Sequence, residues 1–395
     1  MADAAATLPV WGTSPAWDAR LDDCVVSIAL SPDGGRVAFC SAAGEILVCD
    51  AGVGSGSAKR VRHGTGAMAL GFSAAGQVVS GGEDGRVRVW GADGAALAEH
   101  DVAACAASAG ASGGSLGVRG AGGAWVMNVS VGGGEGAPTF VATVGSSIVC
   151  GALSAGAEMR RLGPLEKTVD CACHLRSEDG EDGGVIAACY GGVAMWETEA
   201  AVAANERREL RYKGWFICLA PSPDGKWIAG GCNDMTVRLW RRADGQDLQC
   251  GGYARKIAAI VWDASGRFLA TAGGDQATIW DFSGDGPAGS TPVVAMGLQA
   301  AVSALAWSDM LLAVGAEDGA VIFFDVTNFR PGNARLGKPH LCSPIARWKS
   351  TRLAEASRLK QVTSMAWTQG GRGSTLFVGF ACGLVEALRI DTLEI

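Results

Sequence analysis

The stretch of sequence that decides the fold spans residues 63–90 and reads HGTGAMALGFSAAGQVVSGGEDGRVRVW. Residues 67–73 alternate in the manner of a buried strand, and residues 77–81 form a second short apolar run. Residues 83–85 are a Glu-Asp-Gly turn, and residues 86–90 form a third predicted strand. Short strands at this spacing, with turn residues between them, predict one blade of a β-propeller.

Four residues mark this stretch: His63 before the first strand, Ser80 in the second, Asp84 in the turn and Trp90 at the end of the third. The segment resembles a WD40 repeat, because that family places a hydrogen-bonded His, Ser or Thr, Asp and Trp at these offsets. The resemblance implies that the four side chains form a structural tetrad. It also implies a fold whose loops bind partners, so the repeat says much about architecture and little about chemistry.

The same unit recurs along the chain, although most copies lack part of the tetrad. The predicted third strands end in Trp or Asp, at Asp50, Trp90, Trp196, Trp240, Trp280, Asp325 and Asp391. Eight first strands are predicted, over residues 25–30, 67–72, 102–107, 169–174, 216–221, 257–262, 302–307 and 362–367. We therefore predict an all-β, closed propeller of eight blades that occupies residues 1–395 as a single domain. Seven blades, with the weak third unit absorbed as an insertion, is the alternative.

Two long gaps between units and the end of the chain need separate explanations. The third unit is predicted to begin at 102–108 and to contain a Gly/Ala/Ser-rich insertion at 109–138. Residues 326–361 are predicted to be a basic extended loop before the last blade, with a short helix at about 350–360. The last blade has no room for a fourth strand after its third. We expect the segment from Leu8 to Asp18 to supply that strand and close the ring.

Composition supports a compact protein and gives no sign of export. Of the residues, 48% are apolar and 18% are charged, which excludes a disordered chain. The net charge of −7 argues against a wholly basic protein that coats nucleic acid. The 13 cysteines stand mostly in apolar strands, where they are interpreted as small buried hydrophobic residues. With neither a signal peptide nor a membrane-spanning stretch in the sequence, a cytoplasmic location is predicted, with the nucleus as a second possibility.

The sequence offers little for catalysis or metal binding. It has four histidines and none of the nucleophile, phosphate-binding or zinc-protease motifs, so we predict a protein that is not an enzyme and has no cofactor. Cys171, Cys173 and His174 are the one candidate metal site. On a strand the two cysteines share one face while His174 points to the other, so no metal is predicted there. A metal-linked role is kept as the least favoured alternative.

The charge pattern indicates where a partner would bind. In WD40 propellers the loops that lead into the first strand of each blade share a face with the turns after the second strand, and here those loops are basic. Residues 326–361 alone contain eight basic residues and one acidic residue. The predicted partner-binding residues are Arg347, Trp348, Lys349, Arg352, Arg358, Lys360, Arg211, Lys213, Arg255 and Lys256. Trp348 is expected to be an apolar anchor among arginines, and Trp215 to be either part of the patch or core.

We therefore interpret the chain as a non-enzymatic scaffold or adaptor for protein–protein interactions. Its partner is expected to be an intracellular protein with an acidic segment, steered to the basic face by charge. The alternative is binding of an anionic ligand, either nucleic acid or phospholipid, by the same face.

Overall fold

Eight antiparallel sheets arranged in a ring make up the protein. The computed structural model describes residues 15–108, 124–133, 137–176, 182–284, 286–327, 340–353, 359–368 and 374–390. Each sheet in these ranges is one blade, and the first strands of consecutive blades pack side by side around the centre. The first strand of the last blade packs against that of the first blade, so the ring is closed. The predicted eight-bladed propeller is confirmed, and the seven-bladed alternative is wrong.

The first four blades have four strands each. The strands of blade one are β2 (Val25–Leu30), β3 (Arg36–Ser41), β4 (Glu45–Asp50) and β5 (Lys59–Arg62). Those of blade two are β6 (Ala67–Phe72), β7 (Val78–Gly82), β8 (Arg86–Trp90) and β9 (Ala96–Asp101). Those of blade three are β10 (Val126–Gly132), β11 (Thr139–Val144), β12 (Ser147–Ala152) and β13 (Met159–Leu162). Those of blade four are β14 (Val169–Arg176), β15 (Asp182–Cys189), β16 (Gly191–Trp196) and β17 (Arg208–Tyr212).

The last four blades follow the same plan with two variations, a fifth strand in blade six and a borrowed strand in blade eight. The strands of blade five are β18 (Phe216–Pro221), β19 (Trp227–Cys232), β20 (Val237–Arg241) and β21 (Asp247–Cys250). Those of blade six are β22 (Ala259–Trp262), β23 (Phe268–Ala272), β24 (Ala277–Asp281), β25 (Val293–Ala295) and β29 (His340–Cys342). Those of blade seven are β26 (Val302–Ser308), β27 (Leu311–Ala316), β28 (Ala320–Asp325) and β30 (Ala346–Lys349). Those of blade eight are β31 (Val362–Trp367), β32 (Ser374–Phe380), β33 (Leu384–Ile390) and β1 (Trp17–Arg20).

Short helices occur only in connections between strands within the described ranges. They are the 3-10 helix η1 (Gly54–Ser57) and the α-helices α1 (Val102–Ser108) and α2 (Glu199–Ala204). The loops from one blade to the next and the turns between second and third strands lie at one end of the ring, which we call the upper face. The other turns and the connections from third to fourth strands form the lower face.

Small residues allow the blades to pack closely. Glycines in second strands lie under a β-branched residue at the start of the next blade, and a Cβ on Gly81 would be 2.5 Å from Val126 Cγ1. The equivalent pairs are Gly231 with Ile257, Gly315 with Val362 and Gly379 with Val25. Any larger side chain at these positions would push two blades apart, which explains why glycine appears inside strands that are otherwise apolar.

Indole groups also tie successive blades together. Trp262 Nε1 donates to the Ala220 carbonyl at 2.9 Å, and Trp307 Nε1 donates to the Val261 carbonyl at 3.1 Å. In the last blade, Trp367 Nε1 donates to a carbonyl in blade seven at 3.2 Å. Each tryptophan ends or nearly ends the first strand of its blade and reaches the first strand of the blade before it, so blades five to eight share one repeated contact.

The N-terminal strand closes the ring, as predicted. Strand β1 pairs antiparallel with β33, with Trp17 opposite Ala387 and Arg20 opposite Leu384. The predicted segment from Leu8 to Asp18 overlaps this strand only at its end, and its residues before position 15 lie outside the described ranges. Blade eight is therefore built from both ends of the described chain, so its integrity depends on contacts between them.

The prediction for the start of blade three is wrong. Residues 102–108 form α1, and the first strand is β10, which lies inside the predicted insertion at 109–138. Alanine-rich sequence favours a helix, and Asp101 accepts a hydrogen bond at 2.8 Å from the Ala104 amide in its first turn. Within the predicted insertion, residues 109–123 and 134–136 lie outside the described ranges.

The predicted extended loop at 326–361 contains two strands. Strand β29 pairs in parallel with β25 of blade six, and β30 is the fourth strand of blade seven. The chain before β30 therefore connects third and fourth strands at the lower face, and only 350–361 leads into blade eight on the upper face. Residues 328–339 and 354–358 lie outside the described ranges, including much of the predicted helix, and residues 351–353 and 359 are turns or bends.

Candidate functional site

The four residues of the best-preserved repeat form a continuous hydrogen-bond chain. His63 Nδ1 is 2.7 Å from Ser80 Oγ, and Trp90 Nε1 donates to the same oxygen at 2.8 Å. His63 Nε2 is 3.2 Å from an oxygen of Asp84. Burial lowers the pKa of His63, so the neutral ring donates from Nε2 to Asp84 and accepts from Ser80 at Nδ1. Because His63 is fully covered, this hydrogen-bond network holds the blade together from within.

Tyrosines take over the same role in two other blades. Tyr253 Oη is 2.7 Å from Thr271 Oγ1 and accepts a hydrogen bond from Trp280 Nε1 at 3.1 Å. In blade five, Tyr212 donates to the Asp234 carboxylate, and the Arg238 guanidinium lies 4.1 Å from the centre of the Tyr212 ring. Blades five and six, which lack the full tetrad, are therefore still anchored by a polar network beside their upper-face loops.

The candidate metal ligands of blade four face different neighbours. Cys171 and Cys173 pack into the core that blades four and five share. His174 points toward blade three, with Nδ1 3.1 Å from Ser130 Oγ and Nε2 3.0 Å from Thr139 Oγ1. In the described ranges, no three His, Cys, Asp or Glu side chains are grouped so that they could hold a metal ion. Both thiols also have raised pKa values because they are buried, which disfavours the thiolate that binds metal.

Several predicted partner-binding residues are engaged in ion pairs. Arg347 and Lys349 share Asp318, at 3.3 and 3.8 Å, and Arg255 lies 3.9 Å from Glu317. These acidic residues stand in the turn between second and third strands of blade seven, on the upper face. The basic face was predicted from the inter-blade loops alone, and the acidic residues of these turns lie on the same face. The upper face is therefore mixed in charge.

The other predicted residues have different environments. Arg352 Nη1 is 2.5 Å from an Asp18 oxygen, which ties the last inter-blade loop to the closing strand. Lys360 is partly buried, and Arg358 lies outside the described ranges. Arg211 is 87% exposed, with Glu209 at 3.7 Å. Lys213 and Lys256 are exposed and make no ion pair with any residue that the structure describes.

The two candidate tryptophans differ in exposure. Trp348 is only 3% exposed and packs against the Phe380 ring, with centroids 6.4 Å apart, so the prediction of an exposed anchor is wrong. It points inward because β30 alternates buried and exposed residues and blade eight covers its inner side. Trp215, which the sequence left open between patch and core, is 47% exposed on the upper face.

Trp215 belongs to a group of exposed apolar side chains that we call the aromatic patch, consisting of Tyr190, Trp215 and Met235. Their exposed fractions are 41%, 47% and 46%. The Gly191 amide donates to the Gly214 carbonyl at 3.1 Å, and the Asn233 amide donates to the Trp215 carbonyl at 2.9 Å. The three turns that present these side chains are thus joined by backbone hydrogen bonds. The patch therefore stands on connected turns at the junction of blades four and five.

A carboxylate lies beside the patch. Asp170, the second residue of β14, is hydrogen-bonded to the Trp215 side chain, and its Oδ2 is shielded from solvent without a hydrogen-bond partner. Burial raises the pKa of Asp170 to about 6, and the Trp215 hydrogen bond opposes this only in part. No cationic side chain in the described ranges pairs with it. Asp170 was not among the site residues predicted from the sequence, although an acidic residue inside an apolar strand is unusual and can indicate a functional position.

Replacing Asp170 with asparagine should stabilise the fold near neutral pH. The folded-state pKa of about 6 lies above the unfolded value of 3.8, so ionisation disfavours the folded state increasingly as pH rises from about 4 to 6. Allowing for partial solvation, Asp170→Asn should raise the free energy of unfolding by about 1–2 kcal/mol at about pH 7 and have little effect near pH 4. Urea unfolding at the two pH values measures this. If Asp170→Asn changes the free energy of unfolding equally at the two pH values, the folded state does not disfavour the ionised carboxylate.

Comparisons with known proteins agree with the repeats and the ring. The family model for "WD domain, G-beta repeat" matches residues 57–91 and 208–241. The crystal structure of the C-terminal WD40 domain of Sif2 superposes with a TM-score of 0.67, covering 95% of this chain and 97% of that chain at 15% identity. Identity at this level shows a shared fold alone.

Sequence relatives match only part of the chain. A "Ribosome biogenesis protein WDR12 homolog" of Drosophila erecta is 31% identical over 78 residues, which are 19% of this chain and 18% of that protein. The Drosophila virilis protein of the same name is 33% identical over 63 residues, 15% of each chain. "Centriole proteome protein 16" of Chlamydomonas reinhardtii is 31% identical over 91 residues, 23% of this chain and 4% of that protein. The matches thus span under a fifth of these relatives' length.

None of the helices in the described ranges has the length and apolar character that crossing a membrane requires.

Proposed function

Because the chain belongs to the WD40-repeat β-propeller family, we propose that it is a non-enzymatic scaffold that binds a partner protein through the aromatic patch on its upper face. The observation that supports this proposal is the exposure of Tyr190, Trp215 and Met235 on turns that hydrogen-bond to one another. Large apolar side chains held rigidly in solvent are typical of interface hot spots, since they lose little conformational entropy when a partner covers them.

The charges around the patch favour an acidic partner segment. Lys213 lies two positions before Trp215 and Arg211 lies four, and Lys256 leads into the next blade on the same face. Lys213 and Lys256 have no acidic partner in the described part of the chain, so they are available to pair with carboxylates. We propose that these cations steer an acidic segment to the patch and that Trp215 anchors it.

The alternative of a nucleic acid or phospholipid surface is less well supported. Asp84, Asp234, Glu317 and Asp318 stand in turns of the same upper face. A polyanion spread over this face would meet these carboxylates as well as the cations, whereas a short acidic segment can contact the cations around Trp215 alone. The proposal therefore takes a protein as the ligand, in the cytoplasm or the nucleus. It does not adopt the process named for the partial relatives, because they share only a short stretch of repeats with this chain.

Affinity purification from native lysate with three baits tests this proposal. The baits are the wild type, the upper-face variant Lys213→Glu/Trp215→Ala, and the control variant Lys226→Glu. Lys226 is an exposed cation of the same blade that lies in its lower-face hairpin. A stoichiometric partner should be recovered with the wild type and the control and reduced about tenfold or more with the upper-face variant, because loss of a hot-spot residue costs 2 kcal/mol or more.

Two outcomes would contradict the proposal. Equal recovery with all three baits would place the partner elsewhere on the propeller. Recovery of nucleic acid or lipid alone, lost steeply as salt rises, would favour the anionic-ligand alternative. Thermal melting of each bait checks that the substitutions leave the fold intact.

A further inference from the structure

We propose that Asp170 and Trp215 together form a binding site for one arginine side chain of the partner protein. This inference rests on the proposed function and adds a specific residue to it: an arginine within the acidic segment. The guanidinium would pair with the Asp170 carboxylate and lie against the exposed Trp215 ring.

The Asp170 carboxylate has no cationic partner in the described ranges. Asp170 has one oxygen shielded from water and without a hydrogen-bond donor. Asp170 is half-buried, and a carboxylate that is partly withdrawn from water without a cation is costly. In the described ranges the Trp215 side chain is the only hydrogen-bond donor to it, and no basic side chain offsets its charge. A cationic ligand on the side of the carboxylate that is open to solvent would offset this charge, while Oδ2 stays covered.

The Trp215 indole offers a cation a second contact beside this carboxylate. Trp215 is hydrogen-bonded to Asp170 by its side chain, and about half of its surface remains open to solvent. A cation that reaches the carboxylate therefore meets an aromatic ring beside it, and tryptophan is the most favourable ring for such contacts. The same blade already contains one arginine stacked on a ring, with the Arg238 guanidinium 4.1 Å from the centre of Tyr212.

Arginine fits this site better than lysine. Its planar guanidinium donates several parallel hydrogen bonds and stacks on aromatic rings, whereas the ammonium of lysine is compact and strongly hydrated. The partner residues on either side of this arginine should be acidic, because Lys213 and Lys256 would repel further cations and attract carboxylates. The expected ligand is an arginine flanked by acidic residues.

Two synthetic peptides provide the test: acetyl-Glu-Glu-Arg-Glu-Glu-amide and the same peptide with glutamine in place of arginine. Isothermal titration calorimetry measures the affinity of each for the full chain. The wild type should bind the arginine peptide about tenfold or more tightly than the glutamine peptide. Asp170→Asn should reduce this ratio to about one, because the neutral amide keeps the shape of the site and removes its charge.

A second variant separates this inference from the proposed function. Lys213→Glu should weaken both peptides equally and leave the tenfold ratio unchanged, since it acts on the acidic residues they share. If the wild type binds both peptides with equal affinity and Lys213→Glu weakens both, the arginine site is wrong and the acidic-segment proposal stands. If the wild type binds neither peptide, the arginine site and the acidic-segment proposal are both overturned. A ratio that survives Asp170→Asn would also overturn the arginine site.

Discussion

Replacing Trp17 with alanine should lower the free energy of unfolding by about 3–5 kcal/mol, the cost usual for removing a buried indole. The Trp17 ring lies 6.0 Å from the ring of Phe39 in blade one and 5.6 Å from that of Phe377 in blade eight. Its Nε1 donates to the Ala51 carbonyl at 3.2 Å. One side chain on the closing strand therefore joins the first and last blades, and its loss leaves a cavity where the ring is closed.

The matched control is the same substitution on the upper face. Trp215→Ala removes an indole of the same size from a half-exposed position, together with its hydrogen bond to Asp170, and should cost about 1–2 kcal/mol, less than half of the loss at Trp17. Urea unfolding of both variants gives the comparison. If the two substitutions cost the same, the closing strand does not hold the ring together.

Replacing Arg352 with alanine should lower the free energy of unfolding by about 2–3 kcal/mol at about pH 7. The expected loss is smaller than for a fully buried ion pair because the arginine is half exposed. Arg352 bridges the closing strand and its neighbour, with Asp18 at 2.5 Å and Glu386 at 3.8 Å. Glu386 is completely buried opposite Asp18 in the sheet, and burial raises its pKa while the charge of Arg352 lowers it. Without the arginine, an ionised carboxylate would be left buried and unpaired.

The cost of Arg352→Ala should depend on pH and should be recovered by a second substitution at Glu386. Because the pKa of Glu386 is raised in the fold, its ionisation disfavours the folded state increasingly as pH rises from the unfolded value of 4.5 toward the raised pKa, and has no such effect below that range. The cost of Arg352→Ala should therefore shrink as pH falls toward about 4.5, and Glu386→Gln should recover most of it at about pH 7. Arg211→Ala, at an arginine that is 87% exposed, is the control and should have little effect. A cost equal to that of the control would show that the bridge is not structural.

The eight blades could be predicted because apolar alternation and Asp-Gly turns are local signals. Strands such as β2, β6, β18 and β31 have the predicted bounds. The first strand of blade three was placed wrongly because alanine and cysteine at 102–108 suit a buried strand or a helix, and the capping Asp101 decides for the helix. The residues that form β10, from Val126 on, alternate as a strand does, but the surrounding glycines suggested an insertion.

The functional residues were harder to predict because burial depends on neighbouring blades. Trp348 stands between two basic residues, and Trp215 follows Lys213 by two positions. Only the packing of Trp348 against Phe380 of blade eight, and the three-residue loop that leaves Trp215 at the surface, distinguish core from patch. The ion pairs of Arg347 and Arg352 likewise join residues far apart in sequence, so no spacing rule could reveal them.

The most direct test of the central claim places a photoreactive cross-linker on each face of the propeller. Benzoylphenylalanine replaces Trp215 on the upper face in one variant and Val53, an exposed residue of the lower face, in the other. After illumination in native lysate, the account predicts a cross-link from position 215 to the protein recovered by affinity purification, and none from position 53. A cross-link to that protein from position 53 alone would contradict a partner-binding site at the aromatic patch.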